Sequence, residues 1–197
     1  MRKPSFLDLL PEHLSRRDPS ALLAIDGRCG GGKTSLAGEL HRRYGWSVVP
    51  MDDFFLRPKQ RTAARLAQAG GNVDYERFLE EVLLPLRSGG DISYRPFDCA
   101  AMTLAAPVSV RRTPVVVVEG SYACHPALWE AYDLRLFVDI SPERQWERIL
   151  RREGPQKAET FRSRWIPLEE AYFAAFSVRE RCDWVVQWPE TERVETL

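Results

Sequence analysis

Residues 24–36 read AIDGRCGGGKTSL, and four glycines fall within the six positions from Gly27 to Gly32. Glycine in ordered backbone is disfavoured by roughly 0.5–1 kcal/mol against alanine, so this density marks a loop in which side chains would obstruct something. An apolar run, LLAID (22–26), leads into the loop, and a segment with helical spacing, KTSLAGELHRRYG (33–45), leads out of it. Gly27-Arg28-Cys29-Gly30-Gly31-Gly32-Lys33-Thr34 fits G-x-x-x-x-G-K-[ST] in the strand–loop–helix setting that gives the pattern meaning. Bare peptide N–H groups there converge on phosphate oxygens at the positive end of the following helix. The expected nucleotide-binding set is therefore Gly27, Gly30, Gly31, Gly32, Lys33, Thr34 and Ser35. In it Lys33 bridges the terminal phosphates of ATP and the Thr34 hydroxyl ligates Mg²⁺.

The rest of the chain fits the same frame. Further apolar runs, WSVVPMD (46–52), PVVVVEG (114–120), LRLFVDI (134–140) and DWVVQW (183–188), lack alternation, as strands covered on both faces do. Helical patterns lie between several of them: 33–45 ending at Gly45, 75–90 ending in a glycine pair, and 141–153 opening on Ser141-Pro142. A fourth spans 161–182, with a break expected near Pro167. The prediction is α/β: a doubly wound, parallel five-stranded sheet with helices on both faces, in one domain over 1–197. Residues 54–112 form an insertion at the sheet edge that receives the acceptor, with ISYRPFD (92–98) and LAAPVSV (104–110) pairing as a hairpin, and GPQKAET reads as a polar loop.

Composition narrows the partners. Acidic and basic residues number 28 each in 197, a formal net charge of +0, which argues against a general nucleic-acid or membrane-surface binder. Cys29, Cys99, Cys124 and Cys182 are scattered without metal-binding spacing, as free thiols in a reducing compartment are. No apolar run suits a signal peptide or a membrane span. The expectation is a cytoplasmic protein with a small-molecule substrate, its self-association left open.

Two strand ends carry acids. The second run leads into Asp52-Asp53-Phe54-Phe55, where a carboxylate can orient an acceptor hydroxyl and take its proton; Asp52 is favoured, its neighbour being suited to capping the turn. The third run delivers Glu119, a hard oxygen ligand for Mg²⁺. In SPERQWERILRRE (141–153), Arg144, Arg148, Arg151 and Arg152 fall on or near one helix face.

Taken in order, GGGKT, MDDFFLRP, GGNVDYERF, YRPFD and VVVVEGSY resemble the uridine kinase and nicotinamide riboside kinase group of P-loop kinases over about residues 20–188. The resemblance implies Asp52 as catalytic base, Asp74 on the ribose hydroxyls, Glu119 near the metal, and Phe97-Asp98 near the nucleoside. It also implies a lid loop over about residues 153–165 that closes over ATP and brings arginines, Arg148 and Arg152 the candidates, to the transferring phosphoryl group. Phe97 stands where the uridine enzymes carry tyrosine, and CAAMTL lacks their histidine, which puts a pyrimidine acceptor in doubt. The same group includes relatives acting on pantothenate and phosphoribulose, so a kinase for a non-nucleoside acceptor such as pantothenate or a sugar is one alternative to a nucleoside kinase. A nucleotide-switched ATPase or GTPase module is the competing class; the chain has no N/T-K-x-D guanine-reading motif.

Overall fold

The structure of the protein, a computed structural model, describes residues 5–14, 21–189 and, as backbone, 191–196. Six strands make the main sheet: β1 (Ala21–Gly27), β2 (Ser47–Pro50), β3 (Val115–Glu119), β4 (Leu134–Asp139), β5 (Trp184–Gln187) and β6 (Thr191–Thr196). Their spatial order is β2-β3-β1-β4-β5-β6. The first five are parallel, as the unalternating runs predict, and β6 adds an antiparallel edge that no such run announces. β2 is shorter than its apolar run: the chain leaves the sheet at Pro50 for a 3-10 turn, Met51–Phe54, that carries both aspartates.

Each of the five parallel strands feeds two cores. Leu22, Ala24, Val116, Val118, Phe137 and Val185 face one; Leu23, Ile25, Val115, Val117, Leu136, Val138 and Val186 face the other. With both faces covered, both sets of alternating positions must be apolar. Helices α1 (Phe6–Leu14) and α2 (Lys33–Tyr44) cover the second face. α1 was not foreseen, yet Phe6, Leu7, Leu10 and Leu14 recur at helical spacing and are buried. Pro11 lies inside α1 and lacks the N–H that would bond the Leu7 carbonyl four residues back; the Tyr44 hydroxyl donates to that carbonyl instead, at 2.9 Å.

The first face is covered by a helical stretch over 75–87 and by α4 (Ile166–Phe176), which follows α3 (Pro142–Thr160). Two π turns interrupt these helices, Leu79–Leu83 before Pro85 and Phe161–Trp165 before Pro167. A proline ring crowds the carbonyl four residues back and offers no N–H to it, and a wider turn accommodates both defects. The expected break near Pro167 thus takes the form of a wide turn. Residues 153–165, expected as a loop, are helical: α3 runs past a break at Gly154 (φ 75°, ψ 167°) to Thr160 and into the second π turn.

Ser141 caps α3, accepting from the Arg144 N–H, with Pro142 at the first helical position, and Gly45 closes α2 in left-handed backbone. In the insertion the expected hairpin forms as two short ladders, Ile92–Tyr94 with Val108–Val110 and Phe97–Asp98 with Thr103–Leu104. β1 lies between β3 and β4, so the loop after it opens at the point where strand order reverses, the ligand-binding crevice of such sheets.

Candidate active site

The loop leaves β1 through Gly27, whose φ is 130° and where a Cβ would meet the Val138 carbonyl oxygen at 2.2 Å. At its other end Gly32 adopts φ 104° and precedes α2 without any side-chain cap. Both positions need glycine for backbone reasons, and the uncapped start leaves first-turn N–H groups of α2 open to an anion.

Cations lie on the loop's carbonyls. Lys33 Nζ donates to the carbonyls of Gly27 (2.5 Å) and Arg28 (3.2 Å), and is 3.5 Å from Ser121 Oγ. Arg148 donates to the carbonyls of Gly30, Gly31 and Trp188, each at 3.1 Å. The loop's flank is held by Glu169 of α4, which accepts from the Cys29 N–H at 3.0 Å and from Ser121 Oγ at 2.5 Å. Behind the loop Asp26 is fully buried and accepts four hydrogen bonds, from the N–H groups of Gly27, Tyr122 and Cys124 and from the Tyr172 hydroxyl. Burial pushes its carboxyl up to about 6, against the pull of Lys33 and of these donors.

A cavity of about 1150 Å³ opens from this loop toward the insertion. Gly30, Gly32, Lys33, Thr34 and Ser35 line it, with Gly27 and Gly31 behind the lining. Glu119, at the end of β3, accepts from Thr34 Oγ1 at 3.2 Å; burial raises its carboxyl and the Asp52 charge adds to the rise. Asp52 is open to the cavity and, among the described residues, takes no hydrogen bond. Its carboxyl is raised by its recessed setting and by Asp53 and Glu169, with Lys33 and Arg152 opposing. Asp53 turns away from the cavity and accepts from the Tyr94 hydroxyl at 2.8 Å, so of the two aspartates Asp52 faces the ligand space. Arg152 also lines the cavity, its Nε on Glu153 at 2.7 Å and its guanidinium 5.5 Å from the Phe161 ring.

Three expected acceptor residues stand outside the lining. Asp74 is 1% exposed, caps the stretch beginning at Tyr75 by accepting from the Arg77 N–H, and lies between Arg57 (3.4 Å) and Arg77 (3.6 Å). Asp98 accepts from the Ala100 and Ala101 N–H groups in its own turn, and Phe97 is buried, 5.5 Å from the Arg61 guanidinium. The insertion lines the cavity instead with Phe55, Leu56, Arg61, Asn72 and Cys99. Sequence reasoning missed Asp26, Arg61 and Glu169: no local pattern singles them out, since each is placed by contacts across the fold.

Thr34 and Glu119 offer hard oxygens to Mg²⁺, and mutual repulsion between Glu119 and Asp52 is the kind of charge a divalent cation relieves. Among the described residues no group of three or more acids, histidines or cysteines could hold a metal. The pair therefore suits an ion that takes its other ligands from phosphates and water.

No protein-family model matches the chain, and no curated protein does. Among solved structures it is similar to a possible uridine kinase from Bacillus stearothermophilus, 19% identical, covering 92% of this chain and 97% of that one at a TM-score of 0.68. A proposed fructose transport system kinase from Silicibacter sp. TM1040 is 22% identical, covers 93% and 97%, and has a TM-score of 0.71. The D-glycerate 3-kinase from Cryptococcus neoformans is 15% identical, covers 98% of each chain, and also has a TM-score of 0.71. Over almost its whole length, the chain has the fold of the P-loop kinases.

Proposed function

We propose that this chain is an ATP- and Mg²⁺-dependent kinase that transfers the γ-phosphoryl group to a hydroxyl of a nucleoside or similar small metabolite. One observation carries the reading: a single cavity has an uncapped helix N-terminus with Lys33 at one side and the unpartnered Asp52 carboxylate at another. A switch that hydrolyses its nucleotide needs no second-substrate wall, and the residues that the insertion adds to this cavity support one. The kinases named among its structural neighbours support the same class.

In this reading Lys33 and Arg148 leave the loop carbonyls they now bond and take up the stronger, charged acceptors that the phosphates present. Asp52 orients the acceptor hydroxyl and accepts its proton as the oxygen bonds to the γ-phosphorus and the bond to the ADP oxygen breaks. Arg148 and Arg152 stabilise charge on the transferring group, and closure of 153–165 excludes water. Thr34 and Glu119 would hold Mg²⁺, whose chemistry when bound is to neutralise charge across the phosphates. The enzyme acts on a small molecule in the cytoplasm; among the described residues no helix is long and apolar enough to cross a membrane.

The test is Asp52→Asn. ATP binding, followed with a fluorescent analogue, should persist, while ADP release with a turned-over acceptor falls about 10²–10⁴-fold. Turnover near the wild-type rate removes Asp52 as the base.

A further inference from the structure

The insertion is rich in arginine, and what those arginines touch divides them. Arg57 pairs with Asp74, Arg65 with Glu76, and Arg77 with Asp74 and Glu81. Arg61 lines the cavity and, among the described residues, faces no carboxylate within ion-pair distance. It is nonetheless held in place: Nε donates to the Leu56 carbonyl at 2.8 Å, and the guanidinium sits 5.5 Å from the Phe97 ring. Arg164, from the π turn that ends the lid segment, lines the same cavity 4.6 Å from the Trp165 ring and likewise faces no carboxylate among the described residues.

The acids of the lining are otherwise engaged. Among the described residues only Asp52, Glu119 and Glu169 contribute carboxylates to it. Glu119 is bonded to Thr34, Glu169 to Cys29 and Ser121, and the reading above makes Asp52 the base. A wall that grips a neutral diol needs acceptor oxygens for its hydroxyls; here Asp74, the residue expected to do that, is buried between two arginines. Apart from the Asn72 amide, which is engaged with the Tyr122 hydroxyl, what the wall offers is oriented positive charge, which matches a planar or tetrahedral oxyanion.

We infer that the phosphoryl acceptor is an alcohol bearing an oxyanion, a carboxylate or a phosphate monoester, seated on Arg61 from the insertion and Arg164 from the lid. The inference rests on the kinase reading and names the substrate class of the same site. Arginines serving only the transferring phosphoryl group would act on every acceptor alike, through kcat. Arginines that seat the acceptor's own anion act chiefly through KM, and only for acceptors that carry one.

The experiment measures ADP release on matched pairs: glycerate and glycerol, gluconate and glucitol, pantothenate and pantothenol. Glycerol 3-phosphate forms a second arm against glycerol, and uridine is the neutral nucleoside. The expected result is a kcat/KM at least about tenfold higher for an anionic member than for its neutral partner, the scale of one charge-assisted hydrogen bond. The favoured arm tells carboxylate from phosphate. In Arg61→Gln that ratio falls toward one through a rise in KM, and Arg61→Lys restores part of it, with thermal unfolding midpoints confirming that both variants fold. Phosphorylation of glycerol or uridine with no anionic preference overturns the inference and leaves the kinase reading standing; so does a preference that Arg61→Gln and Arg164→Gln leave intact. A wild-type protein that neither binds ATP nor releases ADP with any of these alcohols overturns the kinase reading beneath it.

Discussion

At the phosphate end Lys33 rests on the Gly27 and Arg28 carbonyls, Arg148 on those of Gly30 and Gly31, and Glu169 on the Cys29 N–H. Across the cavity Asp52 takes no hydrogen bond among the described residues, and Arg61 and Arg164 face no carboxylate there. One end is a backbone device whose cations already have carbonyl partners. The other is a set of side chains from three elements, carrying charge that awaits a counterpart. In the proposed kinase the difference separates what every nucleotide needs, a cradle of peptide groups, from what a particular acceptor needs, a pattern of side-chain charge. A backbone device tolerates few substitutions, because glycine cannot be replaced where a Cβ has no room, whereas a side-chain wall can be rewritten without disturbing the sheet.

The comparison breaks most readily at Gly27. With φ at 130° and the Val138 carbonyl oxygen 2.2 Å from any Cβ, Gly27→Ala should destabilise the protein by about 2–5 kcal/mol and abolish ATP binding. Thermal melts and nucleotide titration check it, and a variant that melts and binds like wild type would show that the cradle does not depend on this contact.

A smaller effect is expected behind the cradle. In Asp26→Asn the amide nitrogen faces a donor, the Cys124 N–H or the Tyr172 hydroxyl, leaving one hydrogen bond unmade at a cost of about 1–3 kcal/mol. The loss should depend on pH. The folded Asp26 carboxyl titrates near 6, above its ordinary value of 3.8, so between those values the native state holds a proton that the unfolded chain does not. That contribution is complete below the unfolded value and is lost as pH rises through about 6. Denaturant unfolding of both proteins from pH 4 to 7 should show the wild-type advantage shrinking as pH rises; a constant gap would place Asp26 outside this account.

The smallest expected change links the two ends. Glu169 raises Asp52 through its charge, and Glu169→Gln removes that charge while keeping the side-chain length, an amide oxygen for the Cys29 N–H and an NH2 that the Ser121 hydroxyl can accept from. The Asp52 carboxyl should then ionise at lower pH, and the acid limb of the kcat/KM profile should move down. An unmoved limb would mean that Asp52 and Glu169 do not sense each other in the working enzyme.

Much was legible in advance for physical reasons. Doubly covered strands must be apolar at every position, so LLAID and PVVVVEG betray themselves, and Ser141-Pro142 and Gly45 punctuate helices by local chemistry. α1 escaped because four buried residues spread over nine make no apolar run, although their spacing was there to read. The lid segment escaped because GPQKAET looks like a loop, while in the fold a single break at Gly154 suffices and the helix continues. Asp74 was expected at the acceptor because a motif carries it; in the fold it serves as a buried helix cap between two arginines.

By itself the sequence determined the five parallel strands, the glycine cradle with Lys33 and Thr34, and the acids at the ends of the second and third strands, because each follows from backbone geometry or from residues adjacent in the chain. The tertiary structure alone decided which aspartate faces the cavity, that Glu169 braces the loop from 140 residues away, and that Arg61 lines the wall with no acid beside it among the described residues. Those outcomes depend on distances between elements remote in sequence, and such distances are fixed only when the two cores close on the sheet.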